Sequence, residues 1–308
     1  MKLLTELRSI VRGSILENEP MSRHTTYGIG GPVTAFITPC DKDDLSSILR
    51  FSKRHKIKTY FVGTGSNILF SDKGIKGIVV TPAKALNSLE FNENFLVAES
   101  GVMLGRIVKE SLKRNLTGME SLIGVPGTLG GALVMNAGAF GSEISNTLYN
   151  VDVMKMDGDV ITLHRNEIDF KYRFSTFLDD EFILLARFHL KKEDPSKIKE
   201  KKEKASMGRK SSQPLRFRSA GSVFKNPPNN AAGYLIDQVG LKGTKVGGAE
   251  ISNHHANFFV NHGNASARDI IDLIRMARTE VYKKFNVKLE LEIKTIGIEN
   301  KDLESYAH

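Results

Sequence analysis

The chain has 308 residues, 40% of them hydrophobic, which is enough apolar material for two or three packed units without covalent staples. Its single cysteine, Cys40, excludes an intramolecular disulfide and a Cys-rich metal centre, and suits a reducing cytoplasm. The formal net charge of +9 leaves nucleic acid, a membrane surface and an anionic small substrate open as partners, to be decided by where the charge sits.

The N-terminal MKLLTELRSIVRGS carries Glu6 and Arg8 where a secretory signal needs an unbroken apolar core, so it reads as an ordinary helix. No later stretch approaches the ~20 apolar residues of a membrane span, and no membrane insertion is expected. VTAFITP is strand-like. Leu45, Ile48, Leu49 and Ser52 then fall at helical spacing behind Asp43 and Asp44, predicting an amphipathic helix. TYFVG, a glycine loop and GIVVTP follow as strand, turn and strand, an α/β arrangement. From Phe95 the pattern turns β-rich. FLVAESG precedes a helix near Leu104 to Arg114, VDVMKM and VITLH flank an Asp157-Gly158 turn, and FILLARFHL follows.

Lys191 to Lys210, KKEDPSKIKEKKEKASMGRK, holds much of the positive charge, but its interspersed acids and lack of an aromatic residue favour a solvated helix or linker over a nucleic-acid patch. Beyond it, a helix around Ala231 to Val239 stops at Gly240 and a strand lies around Phe258 to Asn261. Ser266, with Asp269 three residues on, opens a long helix. Its apolar face of Ile270, Ile274, Ala277 and Val281 predicts that it covers a sheet, and the terminal LELEIKTIG alternates like a strand.

Two glycine-rich stretches stand out. Gly63-Thr64-Gly65-Ser66-Asn67-Ile68 follows a strand, but the chain returns to strand instead of opening a helix, which excludes a Rossmann site. An anion-binding nest of backbone N–H groups and a plain turn both remain open. The second, Gly124-Val125-Pro126-Gly127-Thr-Leu-Gly130-Gly131-Ala-Leu-Val-Met-Asn136-Ala137-Gly138, packs five glycines and a proline into fifteen residues. Ordering such chain is costly unless backbone must approach something closely, although a tight turn against a helix has the same composition. Together the two loops favour an extended dinucleotide such as FAD.

SRHTTYGIGGPV, FVGTGSNILFSDKGIKGIVV, GMESLIGVPGTLGGALVMNAGAFG, YRFS, QPLRFRSAGSVFKNP, AAGYLIDQVGLKG, GGAEISNHHANFFVN and LELEIKTIG occur in that order. With them the chain resembles the UDP-N-acetylenolpyruvoylglucosamine reductase family over nearly its whole length. The resemblance implies an α+β protein with a vanillyl-alcohol-oxidase-type (PCMH-type) FAD-binding module. That module would comprise residues 1–82, with 292–308 returning to it, and 83–192; a basic connecting segment, 193–212, and a substrate-binding domain, 213–291, complete the chain. It further implies non-covalent FAD, NADPH as reductant and a UDP-linked sugar as substrate, in a cytoplasmic enzyme of peptidoglycan precursor synthesis.

By the same resemblance Gly63, Thr64, Gly65, Ser66, Asn67 and Ile68, and Gly124 to Gly127, Gly130, Gly131 and Asn136 to Gly138, hold the flavin nucleotide. Ser222 matches the family's proton donor, and Arg173 and Glu292 its other catalytic positions. Lys210, Asn226 and Lys242 match substrate-binding positions, and His255 stands where some relatives place a substrate-touching glutamine. With no aromatic residue between Phe188 and Phe217, the chain resembles the shorter type that lacks a tyrosine-bearing loop; Gly28 stands where many relatives carry a larger residue. No His or Cys lies within Gly63 to Gly77 or Gly118 to Gly141, which argues against a covalent-flavin oxidase of the same superfamily.

Overall fold

The computed structural model describes residues 2–82 and 85–304. The chain divides into two compact units: Met1–Glu17, Thr34–Thr64 and Lys76–Arg209 form the first, and Asn18–Val33, Gly65–Ile75 and Lys210–His308 the second. Residues 305–308, the end of the expected returning segment, lie outside the described residues.

In the first unit the predicted N-terminal helices are Lys2–Ile10 and Lys42–Arg54. The second of these is capped by Asp41, whose carboxylate accepts from the Asp44 N–H at 2.8 Å. Asp44 itself is fully buried, and its carboxylate accepts from the N–H groups of Arg12, Gly13 and Cys40 at 2.8–2.9 Å, which compensates its desolvation. The adjoining sheet has the order Ser14–Pro20, Pro32–Thr38, Ile75–Val80, Thr59–Phe61. Its edge strand, Ser14–Pro20, was not expected from SILENEP, where polar Glu17, Asn18 and Glu19 hide the alternation.

A five-stranded antiparallel sheet follows, ordered Val160–His164, Leu148–Lys155, Glu181–His189, Phe95–Glu99, Leu89–Asn92. Met154, Phe182 and Leu184 join the core built on Leu45, Ile48 and Leu49. Val151, Val153, Ile183, Ala186 and Phe188 join a second core with Leu104, Ile107, Leu129 and Leu133. The central strand reaches both because a register shift between Asp152 and Val153 moves the pairing from Leu185 to Ile183 and changes which side chains share a face. The lysine-rich run is the helix Pro195–Ser212, with only Ile198 and Ala205 buried, as a solvated helix requires.

The second unit centres on an antiparallel sheet of Lys245–Val246, Ala249–Ile251 and Phe259–Asn261. The long helix Ala267–Phe285 packs on it, and Ile270, Ile274, Ala277 and Val281 all lie in the core. The Ser266/Asp269 capping box is present, and the Asp72 carboxylate also accepts from the N–H groups of Ala267 and Arg268 at 2.8 and 3.2 Å. LELEIKTIG forms regular ladder only at Lys294–Ile296, which pairs in parallel with Ile68–Phe70. Upstream, the N–H groups of Glu292 and Ile293 both point at the Val223 carbonyl, 2.8 and 3.4 Å away, and this irregularity ends the alternating strand. Residues 18–33 and 65–75 group with the C-terminal third because of long-range bonds. Thr26 Oγ1 donates to the Ser219 carbonyl at 2.7 Å, and Asn261 Nδ2 to the Tyr27 carbonyl at 2.7 Å.

Candidate active site

In the first unit the second glycine segment runs along residues 100–104. Leu129 N donates to Val102 O, Gly130 N to Ser100 O, and Leu104 N to Gly127 O, all at 2.9–3.0 Å. Gly127 has φ +125, a conformation that favours glycine, and a Cβ on Gly130 would stand 3.2 Å from the Ser100 Cβ, a tight contact. The segment then forms the short helix Leu129–Val134. Gly63 of the first glycine loop abuts Thr128, whose Oγ1 would lie 2.3 Å from a Cβ at that position.

These segments, with Ser121 just before the second, hold buried polar atoms that find no partner among the described residues: Thr64 Oγ1, Ser100 Oγ, Ser121 Oγ, Thr128 Oγ1 and Asn136 Oδ1. Each such group costs about 1–3 kcal/mol, so their gathering in bare, glycine-rich chain fits a ligand rich in hydrogen-bonding groups, as a dinucleotide is. The residues thus fit FAD, with Thr64 and Thr128 suited to phosphate oxygens.

Asn136, fully buried and left-handed at φ +42, donates through Nδ2 to Glu143 Oε2 at 2.7 Å and to the Lys171 carbonyl at 3.1 Å. Ser175 Oγ donates to Val134 O at 2.8 Å. Together they pin the hairpin Phe170–Lys171/Phe174–Ser175, whose two-residue turn is Tyr172-Arg173. Arg173 adopts φ +55, and its guanidinium carbon lies 5.0 Å from the Tyr172 ring centroid. Ala137 and Gly138 continue the segment: Ala137 N donates to Ala132 O at 2.7 Å, and a Cβ on Gly138 would meet Ser142 O at 2.7 Å.

In the second unit Ser222 and Glu292 come together through the main chain. Ser222 follows Gly221, at φ +76, and bridges to Phe258, while Glu292 N donates to the carbonyl of Val223 at 2.8 Å. Buried Asn257 holds this segment: Phe224 N donates to its Oδ1 at 2.9 Å and its Nδ2 donates to Phe224 O at 2.8 Å. Asn67 is spent on the same framework, donating from Nδ2 to Glu292 O at 3.1 Å and accepting from Lys294 N at its own carbonyl at 2.9 Å. Gly65 has φ +64, and a Cβ there would meet His24 O at 2.2 Å; Ile68 opens the parallel strand.

Of the expected substrate residues, exposed Lys210 lies in the last turn of Pro195–Ser212, and Asn226 Oδ1 accepts from Ala232 N at 3.0 Å, capping Ala232–Gln238. Lys242 pairs with Asp237 at 2.7 Å. His255 Nδ1 accepts from Asn257 N at 3.2 Å, which puts the proton of the neutral ring on Nε2. Burial, and then the charge of Lys242, push its pKa down. Gly28 has a specific reason: a Cβ there would lie 2.2 Å from Arg218 Nη1, so bare backbone makes room for that guanidinium. Sequence reasoning missed Asn257 and Thr128. Asn257 carried no motif of its own, while Thr128 sat inside a glycine stretch whose side chains were passed over.

A family model described as the UDP-N-acetylenolpyruvoylglucosamine reductase C-terminal domain matches residues 213–296, and one described as an FAD binding domain matches 33–164. The chain is 40% identical over 297 residues to UDP-N-acetylenolpyruvoylglucosamine reductase of Caldanaerobacter subterraneus subsp. tengcongensis, covering 96% of this chain and 98% of that one. It is 39% identical over 292 residues to the enzyme of that name from Clostridioides difficile, covering 94% and 96%. The crystal structure of UDP-N-acetylenolpyruvylglucosamine reductase from Thermus caldophilus superposes with a TM-score of 0.79 at 32% identity, covering 92% of this chain and 99% of that one.

Proposed function

The chain belongs to the UDP-N-acetylenolpyruvoylglucosamine reductase family, and on that premise we propose that Arg173, Ser222 and Glu292 perform the charge and proton work of the reaction, with NADPH as the reductant. The enzyme uses FAD to reduce the enolpyruvyl ether of UDP-N-acetylglucosamine to UDP-N-acetylmuramate, a step of peptidoglycan precursor synthesis. One alkene carbon must receive a hydride and the other a proton. Bound FAD supplies the hydride from N5.

Negative charge accumulates toward the substrate carboxylate as the hydride arrives. The fixed cation of Arg173 holds that carboxylate, and Glu292 in its protonated form donates a hydrogen bond to it. Ser222 Oγ gives its proton to the second carbon and recovers one from solvent. A serine hydroxyl is a weak acid, so it serves only against a strongly basic carbanion held within hydrogen-bond reach. Lys210 and Lys242 supply point charge for the nucleotide diphosphate, and Asn226 and His255 complete its contacts. Lys242 must exchange Asp237 for the ligand.

The observation that carries this reading is the bond from Glu292 N to Val223 O, which sets the backbones of Ser222 and Glu292 side by side. The test is an anaerobic visible spectrum. Flavin bands should bleach with NADPH and return on adding the UDP-linked enolpyruvyl substrate; a flavin reoxidised by oxygen alone would point instead to an oxidase. With no second nucleotide fold expected, NADPH and substrate share one cleft in turn, which predicts ping-pong kinetics; a sequential pattern would refute it.

A further inference from the structure

Arg209, in the helix Pro195–Ser212, is held against the glycine segment of the first unit. Its Nε donates to the Ile123 carbonyl at 3.2 Å, and its Cδ would stand 3.1 Å from a Cβ on Gly124, so its stem lies along bare backbone. Its neighbour Gly208 receives the ring of Phe140, 2.9 Å from where a Cβ would be. Phe140 and Gly141, at φ +51 and +80, are the turn of the hairpin Gly138–Ala139/Ser142–Glu143. Glu143 accepts from Asn136, and the other bond of Asn136 holds Lys171, two residues before Arg173.

A continuous set of contacts within one unit therefore fixes the arginine-bearing hairpin relative to Arg209. The two guanidinium groups are close enough that Arg173, after burial itself, disfavours the charged form of Arg209. Among the described residues Arg209 makes no ion pair with a carboxylate, and Nε to Ile123 is its one side-chain hydrogen bond. A half-buried guanidinium beside a second cation, with no counter-charge, is costly unless an anion completes it. With Nε spent on a carbonyl, the planar Nη pair remains to face that anion.

We infer that Arg209 is a second substrate-binding arginine, sharing the enolpyruvyl carboxylate with Arg173. This rests on the proposed reaction. Two fixed cations at the group that gains charge stabilise the transition state more than the ground state, so the effect of Arg209 falls on the step in which substrate is reduced.

The test uses the FAD-loaded enzyme and its Arg209→Met and Arg209→Lys variants, with anaerobic stopped-flow of each half-reaction. Flavin difference spectra give affinity for the enolpyruvyl nucleotide and for UDP-N-acetylglucosamine, which keeps the diphosphate and lacks the carboxylate. Arg209→Met should slow reoxidation by substrate about 10²-fold. It should weaken the enolpyruvyl nucleotide selectively, and leave UDP-N-acetylglucosamine and bleaching by NADPH within about twofold; Arg209→Lys should recover part of the loss. Equal weakening of both nucleotides would move Arg209 to the diphosphate and overturn the proposal, as would an unchanged reoxidation rate. So would an effect confined to FAD content or melting temperature. Failure of the wild-type flavin to be reoxidised by the enolpyruvyl nucleotide would instead remove the underlying reaction.

Discussion

The glycine-rich cradle of the first unit and the Ser222/Glu292 framework of the second solve opposite problems. In the cradle, Thr64, Ser100, Ser121, Thr128 and Asn136 keep buried polar atoms without partners among the described residues. Around Ser222, the N–H groups of Val223, Phe224, Lys225 and Glu292 all donate to protein acceptors. The cradle thus holds polar atoms for a ligand to satisfy, whereas the main chain around Ser222 is satisfied within the protein. A region whose polar atoms a cofactor satisfies gains stability from binding it, while a main chain already satisfied within the protein is organised in advance.

The sharpest test of the framework is Ser222→Ala. Reoxidation by the enolpyruvyl substrate should slow by about 10²–10⁴-fold while NADPH bleaches the flavin at an unchanged rate. Equal loss in both half-reactions, followed by stopped-flow, would remove Ser222 from the proton step. Asn257→Ala should come next, as it strands the buried N–H and carbonyl of Phe224. Denaturant unfolding should show a loss of about 2–5 kcal/mol, with FAD still bound. A loss under about 1 kcal/mol would mean that the framework does not depend on this side chain.

Thr128→Val probes the cradle and should act with opposite signs on the two forms. It deletes a buried hydroxyl that has no partner among the described residues, so the apoprotein should melt at the same temperature or higher, while FAD binding weakens by about 1–2 kcal/mol. Destabilised apoprotein with unchanged FAD affinity would break the contrast between the regions.

The smallest effect concerns pH. The folded-state pKa of His255 is depressed, so the unfolded chain binds more protons once pH falls below about 6.5. Stability should decline from there down to the folded pKa, and His255→Gln should flatten that part of the curve. Denaturant midpoints of the two proteins between pH 5 and 8 compare the slopes directly; equal slopes would show that another group titrates.

Much of this was legible in the sequence because local patterns agreed with tertiary need. The Ser266/Asp269 box and the Ile270, Ile274, Ala277, Val281 stripe name a capped helix and its buried face, and both are present. The irregular course of Leu289–Ile293 was not legible, since two N–H groups sharing the Val223 carbonyl is a tertiary event that leaves the alternation of LELEI intact. At the site, motif order gave Asn67 to the flavin alone, whereas its side chain secures the strand of Glu292. Arg209 lay inside a charge run read as solvated. Its burial follows from Gly124, 85 positions away in the chain, which no local pattern reports.

The chain passes between the two units at residues 17/18, 33/34, 64/65, 75/76 and 209/210. The ribosome therefore delivers Thr26 and Asn67 long before their partners, since the bonds to Ser219 and Glu292 span 193 and 225 residues. The second unit cannot close during synthesis until Glu292 and the strand after it have emerged. Its early segments must stay soluble meanwhile, a cost in folding speed that high contact order carries. Nor does a cut at 209/210 yield two autonomous halves, because the C-terminal fragment would lack two of the three stretches from which its unit is built.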